Sequence, residues 1–111
     1  MKPLQWTGAS LGALREFTEP ARRQAGYQLY RVQSGLEPSD WKPMGIIGPG
    51  VREIRIHAND EFRIIYVAGF EEAVYVLHAF QKKSRKTTKR DLALATSRFR
   101  ELTKERKEKA L

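Results

Sequence analysis

The sequence predicts an α+β fold: an N-terminal strand and an αα-hairpin packed on a small, mainly antiparallel sheet, with a helix to finish. Three observations carry that expectation. Residues 51–80 hold three strand-like apolar segments in succession, joined by short turns. Apolar residues recur at helical spacing before them, within 10–33, and again after them, from 92 to 102. Finally, 111 residues with 41% hydrophobic and 31% charged content have the size and composition of one globular domain.

Taken in order, residues 3–7 (PLQWT) read as a short first strand that Gly8 ends. Leu11, Leu14 and Phe17 then recur every three residues, which suits a short helix over 10–17 in spite of Gly12. Thr18 can cap a second helix over 19–33, with Pro20 in the first turn where proline is tolerated. Its inward stripe is Ala21, Ala25, Leu29 and Val32, and Gly35 ends it. Residues 34–50 contain four Gly and three Pro and read as one long loop, pinned to the domain by Trp41. Strands are expected over 51–57 and 61–69, with a hairpin turn at 57–60. A third, over 73–80, is apolar almost throughout, as a central strand should be. Thr88 and Asp91 have the spacing of a capping box at the start of the last helix. That helix presents Leu92, Ala95, Phe99 and Leu102 on one face; beyond it, the charged residues 103–111 either extend the helix or fray as a tail.

Lys and Arg outnumber Asp and Glu by 21 to 13, a formal net charge of +8 that favours an anionic partner. The chain has no cysteine, so disulfides and thiolate metal sites are excluded and a reducing compartment is expected. His57 and His78 lack the spacing of a zinc site, and no cofactor motif is present. Neither a signal peptide nor an apolar run of membrane-spanning length is visible, so the expectation is a cytoplasmic protein that does not bind membranes.

The positive charge concentrates in HAFQKKSRKTTKRD, residues 78–91, of which six are Lys or Arg and one is acidic. This is a strand-to-helix corner. Lys82, Lys83, Arg85, Lys86, Lys89 and Arg90 crowd a helix N-terminus, which ordinarily favours acids. Such a cluster makes sense when an anion such as phosphate completes it; the alternative is plain solvation of flexible side chains. Alternation directs Ile54 and Ile56 to the core and Glu53, Arg55 and His57 to the opposite face. Arg63 lies within the apolar strand EFRIIYV, where an unpaired charge is costly. It either forms a salt bridge with Glu53 or Glu61, or clamps phosphate with its guanidinium fork. In the third strand His78, Phe80 and Lys82 point one way, and Leu77, Ala79 and Lys83 the other. If the even-numbered set joins Arg55 and Arg63, the sheet offers cations for an RNA backbone and a ring for an unpaired base. Taken singly, His78 and Phe80 also fit ordinary core positions.

VREIRI, EFRIIYV and above all LHAFQKKSRKTTKRDLALATSRFREL resemble the phage-derived HigB-like branch of the RelE/ParE toxin superfamily. The helix ARRQAGYQLYRVQSG and the order β-α-α-β-β-β-α agree, so the resemblance covers nearly all of residues 1–111 as a single toxin domain. It implies a RelE-like fold and the toxin of a type II toxin–antitoxin module, neutralised by a helix-turn-helix antitoxin that can bind operator DNA in complex with it. The implied activity is metal-independent endonucleolytic cleavage of mRNA on the ribosome, by attack of a 2′-OH on the adjacent phosphate. On that resemblance Arg63 clamps the scissile phosphate, Arg55 is a basic position on the preceding strand, and Lys82 and Lys83 are the basic residues after the last strand. Relatives often place a tyrosine near the final helix, but none follows Tyr75 here, which leaves His78 and Lys82 as alternative general bases. Some superfamily members poison DNA gyrase instead, and a non-catalytic nucleic-acid-binding module would carry the same charge.

Overall fold

The computed structural model describes residues 1–110. Its elements are β1 (Leu4–Trp6), α1 (Ser10–Arg15), α2 (Glu19–Gln33), β2 (Trp41–Pro43), β3 (Val51–Ala58), β4 (Asp60–Val67), β5 (Val74–Lys82) and α3 (Lys89–Lys109). The α+β class expected from the sequence is the one observed. One five-stranded sheet has the order β1-β5-β4-β3-β2, with β1 parallel to β5 and every other pairing antiparallel. Among the described residues no helix is long and apolar enough to cross a membrane.

Helices cover both faces of the sheet. Ala21, Ala25, Leu29 and Val32 of α2 pack with Ile54, Ile56, Phe62, Ile64 and Tyr66 on one side. Ala95, Phe99 and Leu102 of α3 pack with Val51, Ile65, Val67 and Leu77 on the other. Alternation along β3 and β4 sorts these two sets, since successive side chains leave a strand on opposite faces. Burying a Val, Leu, Ile or Phe side chain contributes about 1.5–3 kcal/mol. These two layers, more than local propensity, therefore hold the helices in place.

The expected loop at 34–50 contains a strand. β2 pairs antiparallel with β3, Trp41 opposite Ile54 and Lys42 opposite Glu53. It is an edge strand, the position in a sheet where Pro43 is tolerated. Trp41 does pin the segment: the Arg52 guanidinium lies 4.0 Å above its ring. The β3–β4 hairpin is tighter than expected, with Asn59 at its tip in the left-handed region (φ 66°), which asparagine tolerates. β5 runs on to Lys82 because Glu61 still pairs with it, and α1 stops at Arg15. Of the two expectations for the charged C-terminal segment, helix extension is the one seen, to Lys109. Leu111, the end of the expected tail, lies outside the described residues.

A β-bulge corrects one alternation. The β4–β5 register passes from Ile65↔His78 to Tyr66↔Val76, leaving Leu77 as the extra residue. Leu77 and Ala79, expected on one face, therefore join different layers. The carbonyls at the bulge are satisfied from both sides. Val76 O accepts from Thr7 N at 3.1 Å and Ser10 Oγ at 3.0 Å, and Leu77 O accepts from an Arg98 guanidinium nitrogen at 2.8 Å. Arg98 passes close over Gly8, where a Cβ would lie 2.5 Å from its Nε.

Candidate nucleic-acid interface

Where α3 begins, the apolar layer beneath it gives way to charge. Three cross-strand rows lie on this face: Glu53–Ile65–His78, Arg55–Arg63–Phe80 and His57–Glu61–Lys82, each reading from β3 through β4 to β5. The even-numbered set of β5 thus joins the arginines, which resolves the alternative that alternation left open. Arg55, Arg63, Phe80 and Lys82 share one surface.

Glu53 organises it. The sequence placed this residue on the face opposite Ile54 and Ile56; the structure buries it completely, among Lys42, Arg55, Arg63 and, from the segment leading into α3, Thr87. Its Oε1 lies 3.6 Å from Arg63 Nε, 3.8 Å from Lys42 Nζ and 4.0 Å from Arg55 Nε, and its Oε2 accepts from Thr87 Oγ1 at 3.4 Å. None of these three cation contacts is a hydrogen bond: Glu53 Oε1, Arg55 Nε and Arg63 Nε are buried without a hydrogen-bonding partner in the described chain. Coulomb attraction to three cations offsets the desolvation of the carboxylate.

The salt-bridge alternative for Arg63 is the one seen, with both expected carboxylates as partners. The side chain is buried and paired to Glu53, and two of its guanidinium nitrogens donate to Glu61 Oε1 at 3.2 Å. It nevertheless stands in the row shared with Arg55 and Phe80. Glu61 in turn bonds His57 Nδ1 at 2.7 Å, while His57 Nε2 lies 2.7 Å from Asp40 Oδ2. Hydrogen bonds to Asp40 and Glu61 raise the His57 pKa above its ordinary value, and the bond from His57 is the main cause of a lowered Glu61 pKa.

Lys82 is half-buried, and burial lowers its pKa, with Arg63, Lys42 and Arg55 pushing the same way and Glu53 opposing. His78 reaches the same face but spends both ring nitrogens internally. Its Nε2 is 2.8 Å from Asp91 Oδ1, and its Nδ1 is 3.3 Å from an Arg98 nitrogen that can only donate. That arrangement assigns the neutral ring with its proton on Nε2, and burial lowers its pKa further. The His78 ring stacks on Phe80 with centroids 5.2 Å apart and planes 21° from parallel, so it backs the Phe80 ring.

The lysine-rich corner closes the site. Thr88 caps α3 as expected, its Oγ1 accepting from Asp91 N at 3.1 Å, while Asp91 carries the contact to His78. A depression of about 410 Å³ runs between the end of β5 and the first turn of α3, lined by Phe80, Lys82, Lys83, Lys86 and Arg90 among others. Arg85 and Lys89 are exposed outside it. Among the described residues, none of Lys83, Arg85, Lys86, Lys89 and Arg90 forms an ion pair.

Reading the sequence missed Lys42, Thr87, Asp40 and Arg98 as contributors, and missed the burial of Glu53. Lys42 sits in the strand hidden within the Gly/Pro-rich stretch, and Arg98 reaches the site only through the bulge. A signal for Glu53 was present: it alternates in register with Arg55, on the face later occupied by Arg63.

Chemically, the face combines two guanidinium groups, a lysine with lowered pKa and a backed aromatic ring beside a strip of unpaired cations. That combination suits a phosphodiester with an unstacked neighbouring base. The family model described as phage derived protein Gp49-like (DUF891) matches residues 13–100, a span that includes every residue of this face. No curated protein matches the chain.

Proposed function

The chain belongs to the phage-derived Gp49-like family, a toxin family of toxin–antitoxin modules within the RelE/HigB-like superfamily, and from that premise we propose that it cuts mRNA on the translating ribosome and so inhibits translation. The observation that carries the reading is Arg63: a guanidinium fixed in the middle of the sheet by Glu53, in one row with Arg55 and Phe80.

In this mechanism Arg63 and Arg55 hold the scissile phosphate and neutralise the charge that builds on its oxygens. The 2′-OH of the preceding ribose loses its proton to a base and attacks the phosphorus. The bond to the 5′-oxygen breaks, that oxygen takes a proton, and a cyclic phosphate and a 5′-OH result. No metal enters the scheme. Lys82 is the acid–base group, since its lowered pKa gives it more of the neutral amine than an exposed lysine has. His78, with both nitrogens engaged, supports the reaction by holding the Phe80 ring against a base. Lys83, Lys86 and Arg90 bind flanking phosphates along the depression, with Arg85 and Lys89 at its outer margin.

The family implies an antitoxin partner. We assign it a helix-turn-helix fold, a role in blocking this basic face, and operator DNA as the target of the complex. Primer extension on a translated message after induced expression tests the activity. Discrete cuts in wild type that vanish in Arg63→Ala are expected; growth arrest with intact messages would overturn the proposal, and accompanying DNA breaks would point to gyrase instead.

A further inference from the structure

The fork that should receive phosphate is occupied. Two guanidinium nitrogens of Arg63 donate to the single oxygen Glu61 Oε1 at 3.2 Å, and one of them also donates to Phe62 O at 2.9 Å. Arg63 itself is immobilised: its side chain is 7% exposed and its Nε faces the buried Glu53. Glu61 is not, with 43% of its side chain exposed. Its other oxygen already touches a second cation, His57 Nδ1, at 2.7 Å, and His57 is in turn held by Asp40. A carboxylate and a phosphate present similar oxygen pairs to a guanidinium, so one can stand in for the other.

We propose that Glu61 is a gate on the site: in the free protein its carboxylate holds the phosphate position on Arg63, and an arriving RNA phosphate displaces it toward His57. This rests on Arg63 being the phosphate clamp. The displaced carboxylate gives up Arg63 but keeps its contact with His57, so it is not left unpaired and its displacement costs little for a substrate that also engages the neighbouring cations. An isolated anion, lacking those contacts, competes poorly. Glu61 therefore selects for a polyanion that can fill the whole row.

The gate gives binding a pH dependence. The charged and titratable groups facing His57 are Asp40 from the segment before β2 and Glu61 from β4, with Lys82 of β5 opposite Glu61; Gln24 of α2 bonds only the His57 carbonyl. While His57 is protonated it competes with Arg63 for Glu61. As pH rises through the raised His57 pKa that competition is lost, Glu61 returns to Arg63, and RNA affinity falls.

The test is fluorescence anisotropy with a 2′-O-methylated oligoribonucleotide, which binds but cannot be cut. Glu61→Gln should bind about fivefold or more tightly than wild type, the scale of coupling between contacting charged groups. Asp60→Asn removes the same charge one position away and should gain much less. Combining Glu61→Gln with Arg63→Ala should abolish the gain. Arg63→Lys, which keeps a charge opposite Glu53 and loses the fork, replaces Arg63→Ala if the alanine variant is unfolded. An equal gain in Asp60→Asn, or a gain that survives loss of the fork, overturns the gate and leaves the clamp intact. Wild-type affinity in the variant without the fork overturns the clamp itself.

Discussion

Two arginine–carboxylate clusters in this protein differ in almost every respect. Arg106, near the end of α3, grips Glu72 with two hydrogen bonds of 2.7 and 3.1 Å, lies 3.8 Å over the Phe70 ring, and shares Glu72 with the Tyr75 hydroxyl. The bonds from Arg106, its own backbone and Tyr75 hold the Glu72 pKa down at about 2. Yet this cluster is open to water, where such pairs contribute little to stability. Arg63, Arg55 and Lys42 surround Glu53 inside the protein at 3.6–4.0 Å, without one hydrogen bond among the four groups. The good geometry lies where it matters least, and the loose geometry where desolvation makes it expensive. The Arg106 cluster is a finished clasp, whereas the Glu53 cluster leaves Arg55 Nε and Arg63 Nε without hydrogen-bond partners, as the proposed role in holding phosphate would use.

The sharpest way to break this contrast is Glu53→Ala. Removing the carboxylate strands the buried Arg63 guanidinium, and a loss of about 3–5 kcal/mol is expected in urea unfolding; a near-neutral result would mean the cluster is solvated and the contrast false. Next is Arg63→Ala, for which cleavage of a translated message should fall about 10²–10³-fold by primer extension, the usual effect of deleting one transition-state donor. Phe80→Ala should weaken binding of a non-cleavable oligonucleotide by about 1–3 kcal/mol, the worth of one stacked base. Smallest of all, Arg106→Ala should leave cleavage unchanged and lower the melting temperature slightly at neutral pH. The pH profile sharpens that last point. Because the folded Glu72 pKa is depressed, the clasp contributes above the ordinary carboxylate value of 4.5 and fades as pH falls toward about 2, where wild type and variant should converge.

Much of the scaffold could be read from local pattern, and much of the site could not. The α2 stripe of Ala21, Ala25, Leu29 and Val32 located that helix to the residue, and the Thr88 cap located the start of α3. Alternation put Arg55 and Arg63 on one face. It failed wherever a distant element decided the outcome. β2 was hidden because Pro43 and the surrounding glycines look like loop, and only pairing with β3 makes Trp41–Pro43 a strand. Part of what covers Glu53 comes from far along the chain: Thr87, 34 positions later, reaches its carboxylate. The bulge at Leu77 broke a period-two rule that has no local warning in YVLHAF, and beside it lie the Arg98 contacts to Leu77 O and the His78 ring. Identity of the charged residues was legible; their partners were not.

The parallel seam between β1 and β5 has a kinetic consequence. Leu4 lies beside Val74 and Trp6 beside Val76, so a strand made early in synthesis waits for one made late. Contacts of that sequence separation close slowly, since the intervening chain must be ordered before they return any stabilisation. The hydrogen bonds from Thr7 and Ser10 to Val76 O span a similar sequence separation. A nascent chain therefore cannot complete this sheet piecemeal: on the function proposed above, the basic face exists only once β5 has emerged and closed against β1.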